Sequence, residues 1–486
     1  MCLEPAKLPN RRNFLAQTGG GFGTIALASL LADGQSLLRA DDLLPERQPS
    51  HQIDLNGGLH HPAKVRRVIQ LFMNGGVSQM DTFDRKEELE KQHGKQVDFG
   101  LKTAATSKPG AIMKSPFKFR QYGESGRWVT DVFPQMAKHV DQMAFLMSMR
   151  SKTNVHGPAS YMQNTGFLSG GFPAMGAWVS YGLGRLTEEL PAFVVLPDRR
   201  GLPYNNRGNF SSAFLPAEHD ATLIQPNSKN PIANLHPPQV AKHITAASES
   251  DGLQLLNRLN AKHLEGRGRD SNMEARIASF EMAAKMQLSA PEALDLSKET
   301  EVTRKAYGLD QKETEHFGRS CLVARRLLER NTRFVQLWSG AGGASNNWDN
   351  HTNISTELPF IAKTVDQPIG ALLQDLQQRG LMDDTLVIWT TEFGRMPFTQ
   401  GATGRDHNGG TFVTWLAGAG VKAGASFGKS DDFAYRSAEN GTYCYDLHAT
   451  VLHLMGIDHR RLTVRHNGID RRLTDVHGHV VKEILA

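Results

Sequence analysis

Short apolar runs rich in β-forming residues recur along the chain, each closed by a turn of Gly, Asn or charged residues. The first is Val65–Met73, apolar apart from Arg66, Arg67 and Gln70 and ended by Asn74-Gly75-Gly76. A run of that length between turn signals reads as a buried strand. Phe193–Leu196, Arg333–Trp338, Thr385–Thr391 and Thr411–Leu416 read the same way. Between them, Met273–Leu288, Ser320–Arg330 and Phe360–Arg379 repeat apolar residues at i, i+3 and i+4, the spacing of amphipathic helices. Leu447–Leu454 is a shorter helix of this kind, and Gly380 stands where a helix C-cap glycine belongs. Strands alternating with helices predict an α/β fold with a largely parallel sheet covered on both faces. Residues 41–60 form a polar leader, and 61–486 read as a single domain with a loop-rich insertion at about 197–270.

Composition changes this picture little. Of 486 residues, 39% are hydrophobic and 22% charged, which excludes whole-chain disorder, collagen-like structure and a multi-span membrane protein. The formal charge is +5, part of which comes from Lys7, Arg11, Arg12 and Arg39 against Glu4 and Asp33. No Lys/Arg block remains to form a nucleic-acid footprint. Three cysteines without a CxxC exclude a disulfide scaffold, a zinc ribbon and a thioredoxin-type site. The 19 histidines, all at or beyond His51, are a generous stock of metal ligands.

The first 40 residues read as an address. Arg11-Arg12 precede Asn13–Ala32, a stretch without charge that contains Gly19-Gly20-Gly21. Paired arginines before a weakly apolar, Gly-rich segment resemble a twin-arginine export signal, with the twin-arginine export machinery as partner and the periplasm or exterior as destination. The other reading is an uncleaved anchor, for which about 20 residues are just sufficient. The glycine content suits a signal better, and no stable membrane span is expected after its removal.

Ligands of open α/β sheets bind beyond the carboxyl ends of the strands. Glu392-Phe393-Gly394-Arg395 follows the Thr385–Thr391 strand, so Glu392 is a candidate metal ligand and Arg395 a candidate partner for an oxyanion. After Arg333–Trp338 and a Gly-rich loop comes Asp349-Asn350-His351. If extended, that piece projects Asp349 and His351 to one side, as two ligands of one ion require. Arg405-Asp406-His407 leads into the next strand and Asn74 follows the first. Singly, each has a bland reading as a helix N-terminal charge or an ordinary loop pair; it is their recurrence at strand ends that points to a site.

These residues, in this order, carry a resemblance. Asp349-x-His351, a long helix containing Asp366, Asp383–Ile388, the acid-x-Gly of Glu392–Gly394 and the late His407 resemble the alkaline phosphatase and sulfatase superfamily. More closely, the chain resembles a sulfatase-like family of unknown function, the DUF1501 type, through Leu71–Asp84, His156–Gly166, Gly176–Gly184, Cys321–Arg326, Thr391–Pro397, Gly404–Asn408 and Asp446–Thr450. The resemblance implies an alkaline-phosphatase-like sandwich holding one or two divalent ions. Asp349, His351, Glu392, Asp406 and His407 would be ligands, Asn74 would replace the usual first-strand aspartate, and His156 would stand at or next to the nucleophile position. Cys321 and Cys444 lack the x-Pro-Ser-Arg that formylglycine formation needs, and Ser160 lies one turn beyond His156.

The implied function is an exported metal-dependent hydrolase of sulfate or phosphate esters, without formylglycine, acting on a small anionic ester or sulfated glycan. His156 would act as nucleophile, proton donor or ligand, and Arg395 or Arg405 would grip the anion. Mixed His and carboxylate ligands suit Zn²⁺, Mn²⁺ or Fe²⁺ better than Mg²⁺ or Ca²⁺. The alternative is a non-catalytic metal- or ligand-binding envelope protein on the same fold, favoured by Asn74, by Phe393, which falls where the superfamily's Asp-His-Gly step has its histidine, and by the absence of Ser or Thr at the nucleophile position.

Overall fold

The structure, a computed structural model, describes residues 59–101, 106–233, 289–343 and 347–486, with scattered positions between 235 and 287. The signal segment expected over 1–40, nearly all of the expected 41–60 leader, most of 234–270 and most of the helix expected over 273–288 lie outside the described residues. The described residues belong to one compact unit, Gln52–Ala486.

Its centre is a nine-stranded sheet. The strands that matter below are β1 (Arg67–Met73), β2 (Met143–Arg150), β3 (Phe193–Leu196), β4 (Thr222–Leu223), β5 (Phe334–Ser339) and β6 (Thr385–Thr390). A separate two-stranded hairpin, β7 (Gly394–Gln400) and β8 (Gly404–Asn408), precedes β9 (Phe412–Gly418); the short edge strands are β10 (Ser426–Phe427) and β11 (Thr442–Tyr443). Across the sheet the order is β10-β2-β9-β6-β1-β5-β3-β4, with β11 also on β2. Only β9 runs against its neighbours β2 and β6; the other pairings are parallel. The largely parallel α/β architecture expected from the sequence is therefore present.

β1 shows why its run is continuously apolar. Ile69, Leu71 and Met73 enter one core, and Val68 and Phe72 the other. A strand buried on both faces has no polar side, so period-two alternation is lost. Helices cover both faces: α3 (Glu315–Glu329) and α5 (Asp366–Gln378) contribute to the first core, α2 (Met175–Leu183) and α6 (Cys444–Leu454) to the second. Helix α1 (His156–Thr165) joins the second face, where Asn164 Oδ1 accepts from Gln336 Nε2 at 2.7 Å.

Three expectations change. Phe360–Arg379 is two helices, α4 (Ile354–Ala362) and α5, separated by a turn at 363–365: Pro368 in the first turn of α5 has no N–H to continue the hydrogen bonding of α4, and the Asp366 carboxylate accepts instead from the backbone N–H of Gln135 and Met136. Arg405–His407 lies in a strand rather than a loop. β2, a Met-rich segment interrupted by Ser148, was not expected at all, since methionine is a weak strand signal. Gly380 sits in the left-handed region (φ +69°) just past α5, as a C-terminal glycine should. Cys321 and Cys444 are free and buried in different clusters. Among the described residues no helix is long and apolar enough to cross a membrane.

Candidate metal centre

Strand direction gathers the site. β5, β1 and β6 are parallel, so Asn74, Asp349 and Glu392 leave the sheet at one edge. β9 opposes β6, and β2 opposes β9, so β2 also ends at that edge and β9 begins there. His156 follows β2 as the first residue of α1, while His407 lies in β8, opposite Arg395 in the hairpin register. The edge is stitched at two points. Thr391 Oγ1 donates to Met73 O at 2.7 Å, and Trp348 N donates to Asn74 O at 3.1 Å. Gly75 has φ +128°, and a Cβ there would lie 2.6 Å from the backbone nitrogens of Trp348 and Asp349, so the close approach of these two loops requires glycine.

His156, Asp349, His351 and His407 each offer a ligand atom, all within 4.8 Å of one another. Asp349 Oδ1 is 2.7 Å from His351 Nε2 and 3.0 Å from His407 Nε2, and Oδ2 is 3.2 Å from His156 Nε2. Each imidazole is committed at its other nitrogen. His156 Nδ1 faces Glu392 Oε1 at 2.7 Å, His407 Nδ1 faces the Asn154 carbonyl at 2.8 Å, and His351 Nδ1 faces Gln400 Oε1. Acceptors at all three Nδ1 atoms hold the proton there and turn each Nε2 lone pair inward, the arrangement of metal-ligating histidines. The Nε2 atoms of His351 and His407 are 2.7 Å apart, which two lone pairs tolerate only with a proton or cation between them. The buried Nε2 of His156 has no aligned hydrogen-bond partner. This donor set fits a divalent cation. Among the described residues it is the one such cluster.

The electrostatics agree with that geometry. Burial pushes the Asp349 carboxyl up, but Arg395 first, and then the three histidines beside it, hold it well below the usual carboxylate range. Burial pulls His407 down to about 4, although Asp349 works the other way. For His156 the burial effect is outweighed by Asp349 and Glu392, so its pKa is raised. The His351 side chain is 26% exposed against 7% for His407 and 10% for His156 and Asp349, so solvent reaches the cluster from the His351 side.

Other candidates take different places. Glu392 is fully buried and accepts from His156 and from Gly75 N at 2.8 Å; it orients a histidine rather than joining the cluster. Arg395 is fully buried. Its Nε donates to Gly76 O, Nη1 to Arg405 O, and Nη2 to Gly75 O, Trp348 O and Asp349 Oδ1, which leaves no face for a substrate anion. Arg405 forms a buried ion pair with Asp81, Nε to Oδ2 at 2.5 Å, and its Nη groups reach the carbonyls of Met396 and Met113. Asp406 turns away to accept from the backbone and hydroxyls of Thr106 and Ser107. The roles expected of Arg395 and Arg405 as anion grips, and of Glu392 and Asp406 as ligands, are therefore replaced by structural ones. Asn74 donates to Gly340 O and Ala341 O, and its Oδ1 is buried without a partner. Ser160 donates to Asn209 Oδ1 at 2.8 Å in the interior.

Several positioning residues escaped sequence reasoning. Asn154 and Gln400 orient two of the histidines, and Gln79 holds Arg395 through both its backbone N–H (2.8 Å) and carbonyl (2.9 Å). Tyr204 stacks on His156 with ring centroids 4.5 Å apart; burial and the nearby carboxylates of Asp349 and Glu392 push its phenol up to about 12. Amide and tyrosine side chains in turns carry no local signal of such duty.

Fold and site together define a class: an α/β protein whose parallel strand ends converge three imidazoles and a carboxylate into a candidate metal centre. Within that class the chain belongs to the family described as proteins of unknown function, DUF1501, which matches residues 65–485. Solved structures similar to it include the lipoteichoic acid synthase LtaP from Listeria monocytogenes, at 10% identity over 83% of this chain and 77% of that one with a TM-score of 0.37. Two more are the PsFucS1 sulfatase from Pseudoalteromonas sp. (13%, 84% and 74%, TM-score 0.34) and the alkaline phosphatase from the Antarctic bacterium TAB5 (10%, 82% and 99%, TM-score 0.32). No curated protein matches the chain.

Two tests follow from this geometry. Arg405→Met should cost about 3–5 kcal/mol in denaturant unfolding by stranding the Asp81 carboxylate, and Arg405→Met combined with Asp81→Leu should recover part of that loss. If Arg405→Met alone unfolds like wild type, the pair is not structural. Separately, below its raised pKa His156 takes a second proton, on the Nε2 that faces Asp349, and a cation must displace it. Apparent metal affinity should then be full above the raised His156 pKa and fall about tenfold per pH unit below it. Chelator competition from about pH 5 to about pH 8 reads this; a flat profile would remove His156 from the ligand set.

Proposed function

We propose that this protein is an exported, metal-dependent hydrolase of sulfate or phosphate esters that works without formylglycine. The observation that carries the reading is the convergence of three Nε2 atoms and one carboxylate within 4.8 Å. Asp349, His156, His351 and His407 would hold one divalent ion, and nitrogen-rich ligands favour Zn²⁺, Mn²⁺ or Fe²⁺. When bound, such an ion supplies Lewis acidity, polarising a phosphoryl or sulfuryl oxygen and offsetting its developing charge.

The chain's own residues do the rest. Arg395 keeps Asp349 ionised, Glu392 fixes the His156 ring, and Tyr204 and Phe393 (ring centroid 4.8 Å from His156) keep water off its faces. Both nitrogens of His156 face carboxylates, Ser160 is committed to Asn209, and burial raises the pKa of both Cys321 and Cys444. With these four side chains committed or buried, water is the nucleophile we assign, giving the alcohol and inorganic sulfate or phosphate. Arg11-Arg12 before an uncharged, Gly-rich stretch supports export through the twin-arginine machinery. A second reading, a non-catalytic metal-binding envelope protein, is favoured by the complete internal commitment of Arg395, which leaves the cluster without an adjacent cation for an ester.

Metal analysis and turnover separate these readings. Purified protein should hold one transition ion per chain, lose it in Asp349→Ala, and bind it about 10–100-fold more weakly in Glu392→Gln. Hydrolysis of 4-nitrophenyl phosphate or 4-nitrophenyl sulfate should disappear with the ion. Folded wild-type protein that takes up no divalent ion would sink both readings, while bound metal without turnover of either ester selects the second. For export, an Arg11→Lys/Arg12→Lys variant should accumulate inside the cell; unimpaired secretion would overturn the twin-arginine assignment.

A further inference from the structure

A cavity of about 380 Å³ lies beside the metal centre. One wall is Arg150–Asn154, the segment leading from β2 into His156; the other includes Gly409 and Gly410, which follow His407 and β8. Asn154 belongs to both places. Its carbonyl accepts from His407 Nδ1 at 2.8 Å, and its Oδ1 accepts from Gly409 N at 2.5 Å. One residue therefore separates the cavity from a metal-ligand histidine.

Arg150, Lys152 and Arg436 line this cavity. Each lies over an aromatic ring: Arg150 over Tyr443 at 4.5 Å, Lys152 over Tyr445 at 4.7 Å and Arg436 over Tyr435 at 4.9 Å. Among the described residues none of the three forms an ion pair with a carboxylate. The nearby Asp431 carboxylate is occupied by the backbone N–H groups of Phe433, Tyr435 and Arg436. Arg150 Nε is buried and has no hydrogen-bond partner. Ring stacking fixes cations in place without neutralising them, so the three side chains keep their charge for a ligand in the cavity.

We infer that this cavity binds a sulfate or phosphate group of a polyanionic ligand, with Arg150, Lys152 and Arg436 as its cationic contacts. Uncompensated arginines beside polar Ser151 and Thr153 suit a tetrahedral oxyanion and offer little to a neutral sugar. The cavity also supplies what the cluster lacks, since Arg395 and Arg405 are consumed inside the fold. As a binding site the inference stands alone; as the place where a substrate is recognised it rests on the hydrolase reading.

Binding is tested by calorimetry on the metal-loaded full chain with dextran sulfate and inorganic polyphosphate as probes and dextran as the uncharged control. Wild type should bind at least one polyanion, more weakly as salt rises, and not dextran. Arg150→Gln and Arg436→Gln should each lose about tenfold in affinity, the loss expected for one charge-assisted hydrogen bond, with metal content unchanged. Lys152→Gln provides the same test should Arg150→Gln fail to fold. Lys114→Gln/Lys118→Gln, outside the cavity, controls for net charge. The inference is overturned if wild type binds neither polyanion, if the cavity variants bind as wild type does, or if the control loses as much as they do. Preference between the probes assigns sulfate or phosphate. Absent ester turnover would leave this result untouched and remove only the hydrolase reading.

Discussion

The contact between Asp349 and Arg395 constrains everything at the active edge of the sheet. Asp349 is drawn toward three imidazoles, and a carboxylate that buried would take up a proton without a fixed opposite charge. Arg395 supplies that charge from 2.6 Å while its remaining donors tie the carbonyls of Gly75, Gly76, Trp348 and Arg405. One side chain thus sets the ionisation of the central carboxylate and the spacing of the β1, β5 and β6 loops around it. Removing it would strand Asp349 and release three loops at once, so its contribution to the site cannot be divided from its contribution to the fold.

The histidines obey a second constraint, tautomer. A neutral imidazole has one lone pair, and only the partner at its other nitrogen decides where it points. Here those partners are a carboxylate, a backbone carbonyl and a side-chain amide, drawn from the β6, β2 and β7 segments. The cluster therefore depends on outer residues from elements that adjoin only because the sheet is built as it is.

Much of this was legible in the sequence, for physical reasons. Strands buried on both faces produce continuous apolar runs, so β1, β3, β5, β6 and β9 announced themselves. Asp349 and His351 follow a strand of the parallel sheet, where ligands of such sheets bind, and they meet in the cluster; His407 joins them from within the β8 strand. What was missed is non-local. β2 hides in methionines, and Asp366 at the start of α5 is spent on the distant backbone of Gln135 and Met136. Proximity in the chain also misled. Arg395 and Arg405 sit beside ligand residues in sequence, yet burial turns both into internal ion-pair partners with Asp349 and Asp81. Glu392 has the composition of a ligand, but its neighbours Gly75 N and His156 Nδ1 occupy it first.

That distinction between compensated and uncompensated cations organises the rest of the edge. An arginine already hydrogen-bonded to carboxylates and carbonyls holds structure and offers nothing to a ligand. An arginine stacked on an aromatic ring keeps its charge and its donors available. By this criterion recognition of an anion moves from the loops around β6, where the motif-bearing arginines lie, to the Arg150–Asn154 segment and Arg436. The same segment runs on through Val155 to His156 and carries the carbonyl that orients His407. A ligand group seated there would therefore lie one residue from the partners of two histidines of the cluster, Asn154 being both a wall of the cavity and the acceptor for His407 Nδ1.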